Sequence, residues 1–273
     1  MDKTIGFIGC GKMAQAMIAG MIKKGVIPAG SIIASAYTEI TRNMVRDAFG
    51  IRVTSSNQEA ASESDLIFLA VKPDLYKVIL DEIKPLLKED AVIVTIAAGI
   101  SLEFMEKELG DKAKIVRTMP NTPSLVGEGC SAICPNGRVT AVDLDNVLQL
   151  FSSFGSTEIL KESLMDAVPA ISGSSPAYVY MFIEALADGG VRDGIPRDQA
   201  YRMAAQAALG AAEMVLETGI HPGVLKDNVC TPGGATIQAV AALEKHNFRS
   251  AVLAAMESCT NKSKGLQRDT DRV

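Results

Sequence analysis

The sequence predicts an α/β fold in which an N-terminal Rossmann-type, doubly wound sheet is followed by an all-α helical domain. Short apolar strands alternate with amphipathic helical segments as far as residue 162, and only helical patterns follow. Strand–helix alternation requires right-handed crossovers, which give a parallel sheet covered by helices on both faces. We therefore expect two domains, at residues 1–162 and at residues 163–273.

The strands of the sheet are predicted from short apolar runs that are bounded by Gly, Pro, Ser or Asn. They are Thr4–Ile8, Ser31–Ala36, Ile51–Thr54, Asp65–Val71, Ala91–Ile96, Lys114–Thr118, Gly129–Cys134 and Ser156–Leu160. Amphipathic spacing predicts the helices between them. These are Met13–Lys24, Glu39–Phe49, Leu75–Leu87, Leu102–Leu109 and Asp143–Phe154.

The second domain contains only helical patterns, with proline at or near several of the helix starts. The helices are Pro176–Asp188, Pro196–Glu217, Thr236–Lys245 and Arg249–Lys264, and the charged residues 266–273 are expected to be a frayed end. Residues 201–216 are so rich in alanine and other apolar residues that the helix must be covered nearly all round. We expect a second copy of the chain to cover it, giving a homodimer through the helical domain. Burial against the sheet domain is the alternative.

Composition and charge exclude several classes of protein. The chain of 273 residues has a net charge of −5, and a nucleic-acid partner is not expected because such binders usually carry a basic face. No apolar stretch is long enough to cross a bilayer, so no membrane partner is expected. Five scattered cysteines without a C-x-x-C pair and only two histidines make a metal site unexpected. The chain start leaves no room for a signal peptide, and we expect a cytoplasmic protein.

A dinucleotide-binding fingerprint follows the first predicted strand. Residues 9–14 are Gly-Cys-Gly-Lys-Met-Ala, the G-x-G-x-x-A form. Gly9 permits the tight turn into the helix, Gly11 lets the backbone approach a pyrophosphate, and Ala14 keeps the helix close to its strand. The helix N-terminus supplies amides and a positive dipole to the phosphates. Because a strand precedes the motif and a helix follows it, nucleotide binding is favoured over a merely structural glycine turn.

The end of the second predicted strand favours NADPH over NADH, although NADH remains possible. In NAD enzymes an acid that binds the ribose hydroxyls stands about 20 residues beyond the glycines. Here residues 35–38 are Ser-Ala-Tyr-Thr, and no acid occurs before Glu39. These small and hydroxyl-bearing residues leave room for a 2′-phosphate, with Arg42 as one possible partner. A solvated helix residue is an equal alternative for Arg42.

Two later strands also end in small residues. Residues 70–73 are Ala-Val-Lys-Pro and residues 97–99 are Ala-Ala-Gly. The carboxyl ends of parallel strands form the ligand crevice of a doubly wound sheet, and small residues there admit a flat nicotinamide ring. Lys72 is either a catalytic cation or, since Pro73 follows it, a turn residue that contacts the cofactor through its backbone. The turn role is favoured.

Two adjacent glycines stand ahead of a predicted helix in the second domain. Gly233 and Gly234 follow Thr231-Pro232 and precede the helix that is predicted from Thr236. Glycine costs conformational entropy on folding, so paired glycines are expected where the backbone must come close to another group. The first amides of a helix lack internal partners and can receive an anion.

Seven segments spread over nearly the whole chain occur in an order that is typical of one enzyme family. They are GFIGCGKMAQAM, FLAVKP, AAGI, MPNTP, DAVPAISGSSPAYVYMFIEALADGGV, HPGVLKDNVCTPGGAT and FRSAV. Together they resemble the pyrroline-5-carboxylate reductase family. The resemblance implies reduction of 1-pyrroline-5-carboxylate to L-proline with NAD(P)H, the last step of proline biosynthesis. It also implies a nucleotide-binding domain followed by a substrate-binding and dimerisation domain, with dimers that often assemble into a decamer.

The resemblance further implies which residues form the site. The dinucleotide would be held by Gly9, Cys10, Gly11, Lys12, Met13, Asn57, Ala70, Val71, Lys72, Pro73, Ala97, Ala98 and, from the helical domain, Asn228. The substrate would be held by Thr231, Gly234, Ala235, Thr236 and Glu162. Cys10 stands where alanine is common in the family, which changes little because the backbone does the binding.

The implied substrate has one carboxylate and one C=N bond, and it needs no arginine. The amides of Gly233, Gly234 and Ala235 at the helix start can receive the carboxylate, and Thr231 adds a hydroxyl donor. A protonated imine is already electrophilic, so orientation is the main requirement of catalysis. We predict Thr236 as the catalytic residue, with its hydroxyl hydrogen-bonded to the ring nitrogen.

Two other functions stay open at this point. A reductase of the β-hydroxyacid dehydrogenase type shares the domain order but needs a helical lysine as its acid or base, and residues 172–194 contain no lysine. A non-catalytic dinucleotide-binding protein would have no need of the Thr231–Thr236 segment. Neither histidine is required for the expected reaction. His221 is expected to be a turn or cap residue, and His246 is expected to end a helix.

Overall fold

The computed structural model describes residues 1–270, which form two compact units. One unit comprises residues 1–173 together with the described residues after 258, and the other comprises residues 174–258. The first contains every described strand, whereas the second contains only helices. The expected class, a Rossmann-type sheet followed by helices, is confirmed.

The sheet contains strands β1 (Ile5–Ile8), β2 (Ile32–Ser35), β3 (Arg52–Thr54), β4 (Leu66–Leu69), β5 (Val92–Thr95), β6 (Lys114–Met119), β7 (Gly129–Pro135) and β8 (Gly155–Ile159). Their order is β3-β2-β1-β4-β5-β6-β7-β8. All neighbours pair in parallel except β6 and β7, which pair antiparallel. Residues 120–128 between β6 and β7 are too few for a parallel crossover, which needs a dozen or more. The expected parallel sheet therefore holds for the first six strands, and β7 reverses direction.

The helices of this unit are α1 (Lys12–Lys23), α2 (Glu39–Phe49), α3 (Asn57–Glu63), α4 (Tyr76–Ile83), α5 (Leu102–Leu109) and α6 (Ala141–Phe151). Helix α3 was not predicted, because it is short and has no amphipathic repeat; Ser56 caps it by accepting the Glu59 amide at 3.1 Å. The predicted Leu75–Leu87 helix is shorter in the structure. Helix α4 ends at Ile83, and a 3₁₀ turn containing Pro85 follows, since proline cannot donate within a helix.

Apolar side chains are buried on both faces of the sheet, because successive strand residues point to opposite faces. On one face the rings of Phe7 and Phe68 stack with their centroids 4.8 Å apart, and Phe151 of α6 packs beside them. On the other face Ile33 and Ile67 belong to a second buried cluster. The two clusters hold the strands in register, which fixes where each strand ends.

The later helices are α7 (Ser175–Arg192), α8 (Arg197–Thr218), α9 (Pro222–Val229), α10 (Ala235–Lys245) and α11 (Phe248–Thr270). Helix α9 was not among the predicted helices. Residues 266–273 were expected to be a frayed end. Helix α11 extends to Thr270, and residues 271–273 lie outside the described residues. Within residues 1–270, no helix combines the length and apolarity that crossing a membrane requires.

The helical unit buries little of its apolar surface within one chain. Its buried apolar cluster consists of the small residues Ala187, Ala200 and Ala204. Large apolar side chains such as Met203 and Leu216 are exposed, Leu216 to 81%. Exposed apolar surface on this scale is typical of a face that another molecule covers.

Candidate active site

The turn between β1 and α1 fixes the position of the phosphate loop, which is defined here as residues 9–11. Gly9 has φ +88°, a left-handed conformation that favours glycine. A Cβ on Gly9 would lie 2.7 Å from the carbonyl oxygen of Ala70 and 2.7 Å from Cγ1 of Val71. The fold itself therefore requires glycine at this position, and the loop packs directly against the residues that follow β4.

Gly11 is not required by the fold. Its φ of −73° and ψ of −177° suit any residue, and a Cβ there would meet no atom within 4 Å. Helix α1 begins after Gly11 without a side-chain cap, so the amides of Lys12 and Met13 and the positive end of the dipole face this space. A glycine that the protein does not need, at an uncapped helix start, fits the close approach of a pyrophosphate.

Cys10 keeps the phosphate loop electrically neutral. Its side chain is buried, and burial raises the pKa of the thiol to about 11. A thiol of ordinary pKa is already protonated at neutral pH, and burial extends that state to more alkaline pH, so Cys10 adds no negative charge to the loop. The Cys10 carbonyl accepts a hydrogen bond from Nε2 of Gln15 at 2.9 Å, which helps to orient the loop.

Arg42 folds back onto the residues that follow β2. Its Nη1 donates to the carbonyl oxygens of Ala36 at 2.7 Å and of Tyr37 at 2.9 Å. Beside it, Thr38 caps α2 by accepting the amide of Thr41 at 3.2 Å. The guanidinium therefore lies at the strand end where the ribose is bound in this class of fold, and it is bonded to the backbone there rather than fully solvated.

Asn57 is held next to the phosphate loop by residues of other elements. Ser35 Oγ donates to Asn57 Oδ1 at 2.7 Å, and the Gly9 amide donates to Ser35 Oγ at 3.3 Å. Asn57 Nδ2 donates to Oε2 of Glu82 at 3.0 Å. Sequence reasoning missed Ser35 and Glu82 as supports of the site. No local pattern indicates them, because their partners lie on different elements.

Residues 70–73 and 97–98 follow the carboxyl ends of β4 and β5, which are neighbours in the sheet. Ala97 is buried, whereas Val71 and Ala98 are half-buried. Lys72 is exposed and stands at the start of a turn, Pro73–Leu75. The two segments therefore form adjacent walls at the same edge of the sheet as the phosphate loop, and Ala70, Ala97 and Ala98 are their small side chains.

Glu162 belongs to a cluster of charges around a buried arginine. Its Oε1 accepts from Nη1 of Arg117 at 2.7 Å and from the amide of Leu102 at 3.1 Å. Arg117 Nη2 donates to Asp166 at 2.9 Å, and the arginine side chain is only 6% exposed. A buried guanidinium is tolerated only when it is paired. The carboxylate of Glu162 is therefore committed to holding Arg117 and the first residue of α5.

The twin glycines of the helical unit form a turn that leads into α10. Gly233 has φ +69°. The Gly234 amide donates to the Thr231 carbonyl at 3.0 Å, so this amide is not the free donor that the sequence suggested. A Cβ on Gly234 would lie 2.3 Å from Thr231 Oγ1. Helix α10 begins without a side-chain cap, which leaves the amides of Ala235 and Thr236 as donors at its start.

The remaining polar residues of this region lie on either side of that turn. Asn228 is exposed on α9. His221 caps α9, with Nδ1 accepting the amide of Gly223 at 3.0 Å, and His246 ends α10. The expected cap and helix-end positions of the two histidines are confirmed.

The structure gathers one part of the expected site at a single edge of the sheet. Gly9–Met13, Asn57, residues 70–73 and residues 97–98 all belong to the first unit and lie beyond strand ends. Asn228 and the Thr231–Thr236 segment belong to the second unit. In the part of the chain that the structure describes, no group of His, Cys, Asp and Glu could hold a metal ion.

A neutral phosphate loop at an uncapped helix start, beside walls of small side chains, defines a Rossmann-type oxidoreductase that uses a nicotinamide dinucleotide. Family models match both units. Residues 4–99 match "NADP oxidoreductase coenzyme F420-dependent", and residues 162–266 match "Pyrroline-5-carboxylate reductase dimerisation". The chain belongs to the pyrroline-5-carboxylate reductase family.

Individual relatives cover nearly the whole chain. Pyrroline-5-carboxylate reductase of Escherichia coli (strain K12) is 48% identical over 268 residues, which are 98% of this chain and 100% of that protein. The solved structure of the Plasmodium falciparum enzyme with NADP bound has a TM-score of 0.88 and 36% identity, covering 97% of this chain and 98% of that one. The Coxiella burnetii enzyme has a TM-score of 0.91 and 32% identity, covering 97% and 99%.

The different demands on Gly9 and Gly11 lead to a prediction for Gly11→Ala. Because the added methyl meets no protein atom, we expect an unchanged melting temperature. We expect the dissociation constant for NADPH to rise at least about tenfold, since the methyl occupies the space of the pyrophosphate. Fluorescence titration with NADPH measures this.

Gly30→Ala is the matched control, because a Cβ at Gly30 also lies in open space and Gly30, which precedes β2, does not belong to the fingerprint. It should bind NADPH like the wild type. Wild-type affinity in Gly11→Ala would contradict the assigned position of the pyrophosphate.

Proposed function

We propose that this chain reduces 1-pyrroline-5-carboxylate to L-proline with NADPH, with NADH as the weaker donor. The observation that carries the proposal is the uncapped start of α10, which follows a glycine turn and has the Thr231 hydroxyl beside it. The same chain also has an intact phosphate loop. Family membership and the NADP in the Plasmodium relative support it. When bound, the reduced nicotinamide supplies a hydride.

Loss of NADPH absorbance on addition of 1-pyrroline-5-carboxylate tests the function directly. We expect turnover with this cyclic imine and none with a panel of 2- and 3-hydroxyacids offered with NADP. Turnover with a hydroxyacid alone would favour a β-hydroxyacid dehydrogenase-type enzyme, which the absence of lysine from the α7 sequence argues against. Binding of NADPH without any turnover would indicate a non-catalytic protein.

In this proposal the phosphate loop and the strand ends bind different parts of the cofactor. Gly9–Met13 receive the pyrophosphate, and Asn57 supports that loop through Ser35. Residues 70–73 and 97–98 enclose the nicotinamide half, because they are the small-residue walls beyond β4 and β5. Asn228 contributes to the same cofactor from the helical unit.

The substrate carboxylate is received by main-chain amides in this proposal. Since the Gly234 amide already donates to Thr231, the donors are the amides of Ala235 and Thr236 together with the Thr231 hydroxyl. Gly234 contributes because it has no side chain. A Cβ at this position would displace Thr231 Oγ1. Helix starts favour negative charge by about 0.3–1 kcal/mol at exposed sites and more when partly buried. The same donors fit the carboxylate of the product L-proline.

Thr236 is the residue to which we assign contact with the ring nitrogen. It is the second residue of α10 and half-buried, so its hydroxyl lies within one helical turn of the amides that receive the carboxylate. A hydroxyl can accept from a protonated imine and can also donate to an amine lone pair. It can therefore orient the ring before hydride transfer and pass a proton afterwards.

Thr236→Ala should lower kcat by at least about tenfold, because it removes the hydroxyl together with the γ-methyl group, while the affinity for NADPH stays unchanged because the residues assigned to the cofactor are kept. Steady-state kinetics with 1-pyrroline-5-carboxylate measure kcat, and fluorescence titration measures NADPH binding. Thr236→Ser keeps the hydroxyl and should retain most of the turnover. Unchanged kcat in Thr236→Ala would remove Thr236 from the mechanism.

Glu162 was implied as a substrate ligand, but its contacts support an indirect role. Its carboxylate accepts from Arg117 and from the Leu102 amide, so it secures the start of α5. That start lies a few residues beyond Ala97 and Ala98. We propose that Glu162 helps to hold the nicotinamide wall in place rather than contacting the substrate itself.

NADPH is favoured over NADH by the groups at the end of β2. Arg42 uses Nη1 for two backbone carbonyls, which leaves Nε and Nη2 with further N–H groups for a phosphate. Thr38 and Thr41 place two hydroxyl oxygens 2.8 Å apart at the start of α2. A cation, hydroxyls and a helix start together suit the 2′-phosphate.

Arg42→Ala should raise the KM for NADPH about tenfold and leave the KM for NADH within about twofold, because only NADPH carries the phosphate that the guanidinium would pair with. Steady-state kinetics with each cofactor measure this. Arg46→Ala is the control on the same helix, since Arg46 is exposed and pairs with Asp47, and it should change neither KM. An equal loss with both cofactors would contradict the assignment.

We propose that the chain forms a homodimer through the helical unit and that dimers assemble further into a decamer. Helix α8 and its neighbours support the homodimer. Large side chains such as Leu216 are exposed in the single chain, and the family model that matches residues 162–266 is a dimerisation model. Sedimentation velocity tests this, and a monomer would contradict it. The thiols of Cys10, Cys130, Cys134 and Cys230 form no disulfide, and this supports the cytoplasmic location that we propose, where thiols stay reduced.

A further inference from the structure

A buried chain of hydrogen bonds joins the ends of β4 and β5 beneath the two nicotinamide walls. Tyr76, the first residue of α4, is 1% exposed. Its hydroxyl oxygen lies 2.8 Å from the carbonyl oxygen of Leu69 and 2.8 Å from Oγ1 of Thr95. Leu69 and Thr95 are the last residues of β4 and β5. One hydroxyl therefore spans the two strand ends from which residues 70–73 and 97–98 depart.

The chemistry of the groups determines the direction of each bond in this chain. A carbonyl oxygen carries no proton, so the Tyr76 hydroxyl donates to Leu69. Its only proton is then used, and the Thr95 hydroxyl must donate to the Tyr76 oxygen. Thr95 Oγ1 in turn accepts from the Ala97 amide at 3.5 Å. The chain runs from the Ala97 amide through Thr95 and Tyr76 to the end of β4.

Burial keeps this chain intact under ordinary conditions. Desolvation raises the pKa of the Tyr76 phenol well above its usual value, so the hydroxyl keeps the proton that it donates. Thr95 and Leu69 are also fully buried. Removing one member would leave a buried polar atom without its partner, which costs more than an exposed hydrogen bond would.

The residues of this hydrogen-bond chain are also connected to further parts of the crevice. Thr118 of β6 donates to the Thr95 carbonyl at 2.9 Å. On the other side, Gly9 packs closely against Ala70 and Val71. A Cβ on Gly9 would lie only 2.7 Å from the Ala70 carbonyl oxygen and from Cγ1 of Val71. The spacing of β4 and β5 at this edge is thus coupled to the phosphate loop and to β6.

We propose that Tyr76 is a positioning residue, whose hydroxyl sets the spacing between residues 70–73 and residues 97–98 and so shapes the cleft for the nicotinamide ring. The proposal rests on the proposed function, which assigns these two walls to the nicotinamide half of the cofactor. Tyr76 lies beneath the walls and acts through them. The adenosine half, at the end of β2, lies outside its reach.

The test compares two ligands on the full-length protein. Tyr76→Phe keeps the ring and removes the hydroxyl. The dissociation constant for NADPH should rise roughly threefold to tenfold, whereas that for adenosine 2′,5′-bisphosphate, which lacks the nicotinamide half, should stay within about twofold. Isothermal titration calorimetry measures both, and circular dichroism checks the fold.

A second pair of variants makes the test independent of Tyr76 itself. Thr95→Val removes the hydroxyl that links Ala97 to Tyr76 and should show the same selective loss of NADPH affinity. Thr95→Ser keeps the hydroxyl and should restore wild-type affinity. If Tyr76→Phe does not fold, this pair decides the question.

Two results would overturn the proposal. Equal weakening of NADPH and adenosine 2′,5′-bisphosphate would show that the bridge serves only general stability, and unchanged binding of NADPH in both Tyr76→Phe and Thr95→Val would show that it does not set the cleft. Failure of the proposed function would be seen separately, as a wild-type protein that binds NADPH without reducing 1-pyrroline-5-carboxylate.

Discussion

The proposed site depends on one feature of the fold, the main-chain amides at two helix starts. Helix α1 begins behind Gly11 and helix α10 begins behind Gly234, and neither has a side-chain cap. Such amides bind an anion only where no side chain stands in front of them. Glycine therefore serves a different purpose at each start. Gly11 leaves space that no protein atom fills, while Gly234 keeps the Thr231 hydroxyl beside the start of α10.

Amide donors are fixed in direction, so the segments that carry them must be held firmly. The main-chain ladder of a parallel sheet ends at the strand termini, and the loops beyond depend on side chains for support. Ser35 and Asn57 support the phosphate loop, Tyr76 joins β4 to β5, and Glu162 holds the start of α5. The crevice is thus bordered by polar ties that are themselves buried or half-buried. This arrangement provides preorganisation for the amide donors of the proposed site.

Local sequence patterns predicted most of the fold. Helices α2 and α5 have the bounds that their amphipathic spacing indicated, and each predicted strand overlaps an observed one. The misses have separate physical causes. Helix α3 depends on its cap and on burial of Ala60 and Ala61 rather than on a repeat. The reversal of β7 follows from the length of its connection, and Pro85 ends the α-helix that apolar spacing alone would have continued.

The sequence by itself determined the class of fold, the phosphate loop and the glycine turn before α10, because each depends on the backbone chemistry of residues that are adjacent in the chain. Tertiary structure decided how the side chains are used. Glu162 meets an amide 60 residues away, and the Tyr76 hydroxyl meets Thr95 across 19 residues. Even the Gly234 amide proved to be engaged, through a turn that folds back on Thr231. Hydrogen-bond partners are chosen by proximity in space, and proximity between distant residues exists only once the strands have paired and the helices have packed.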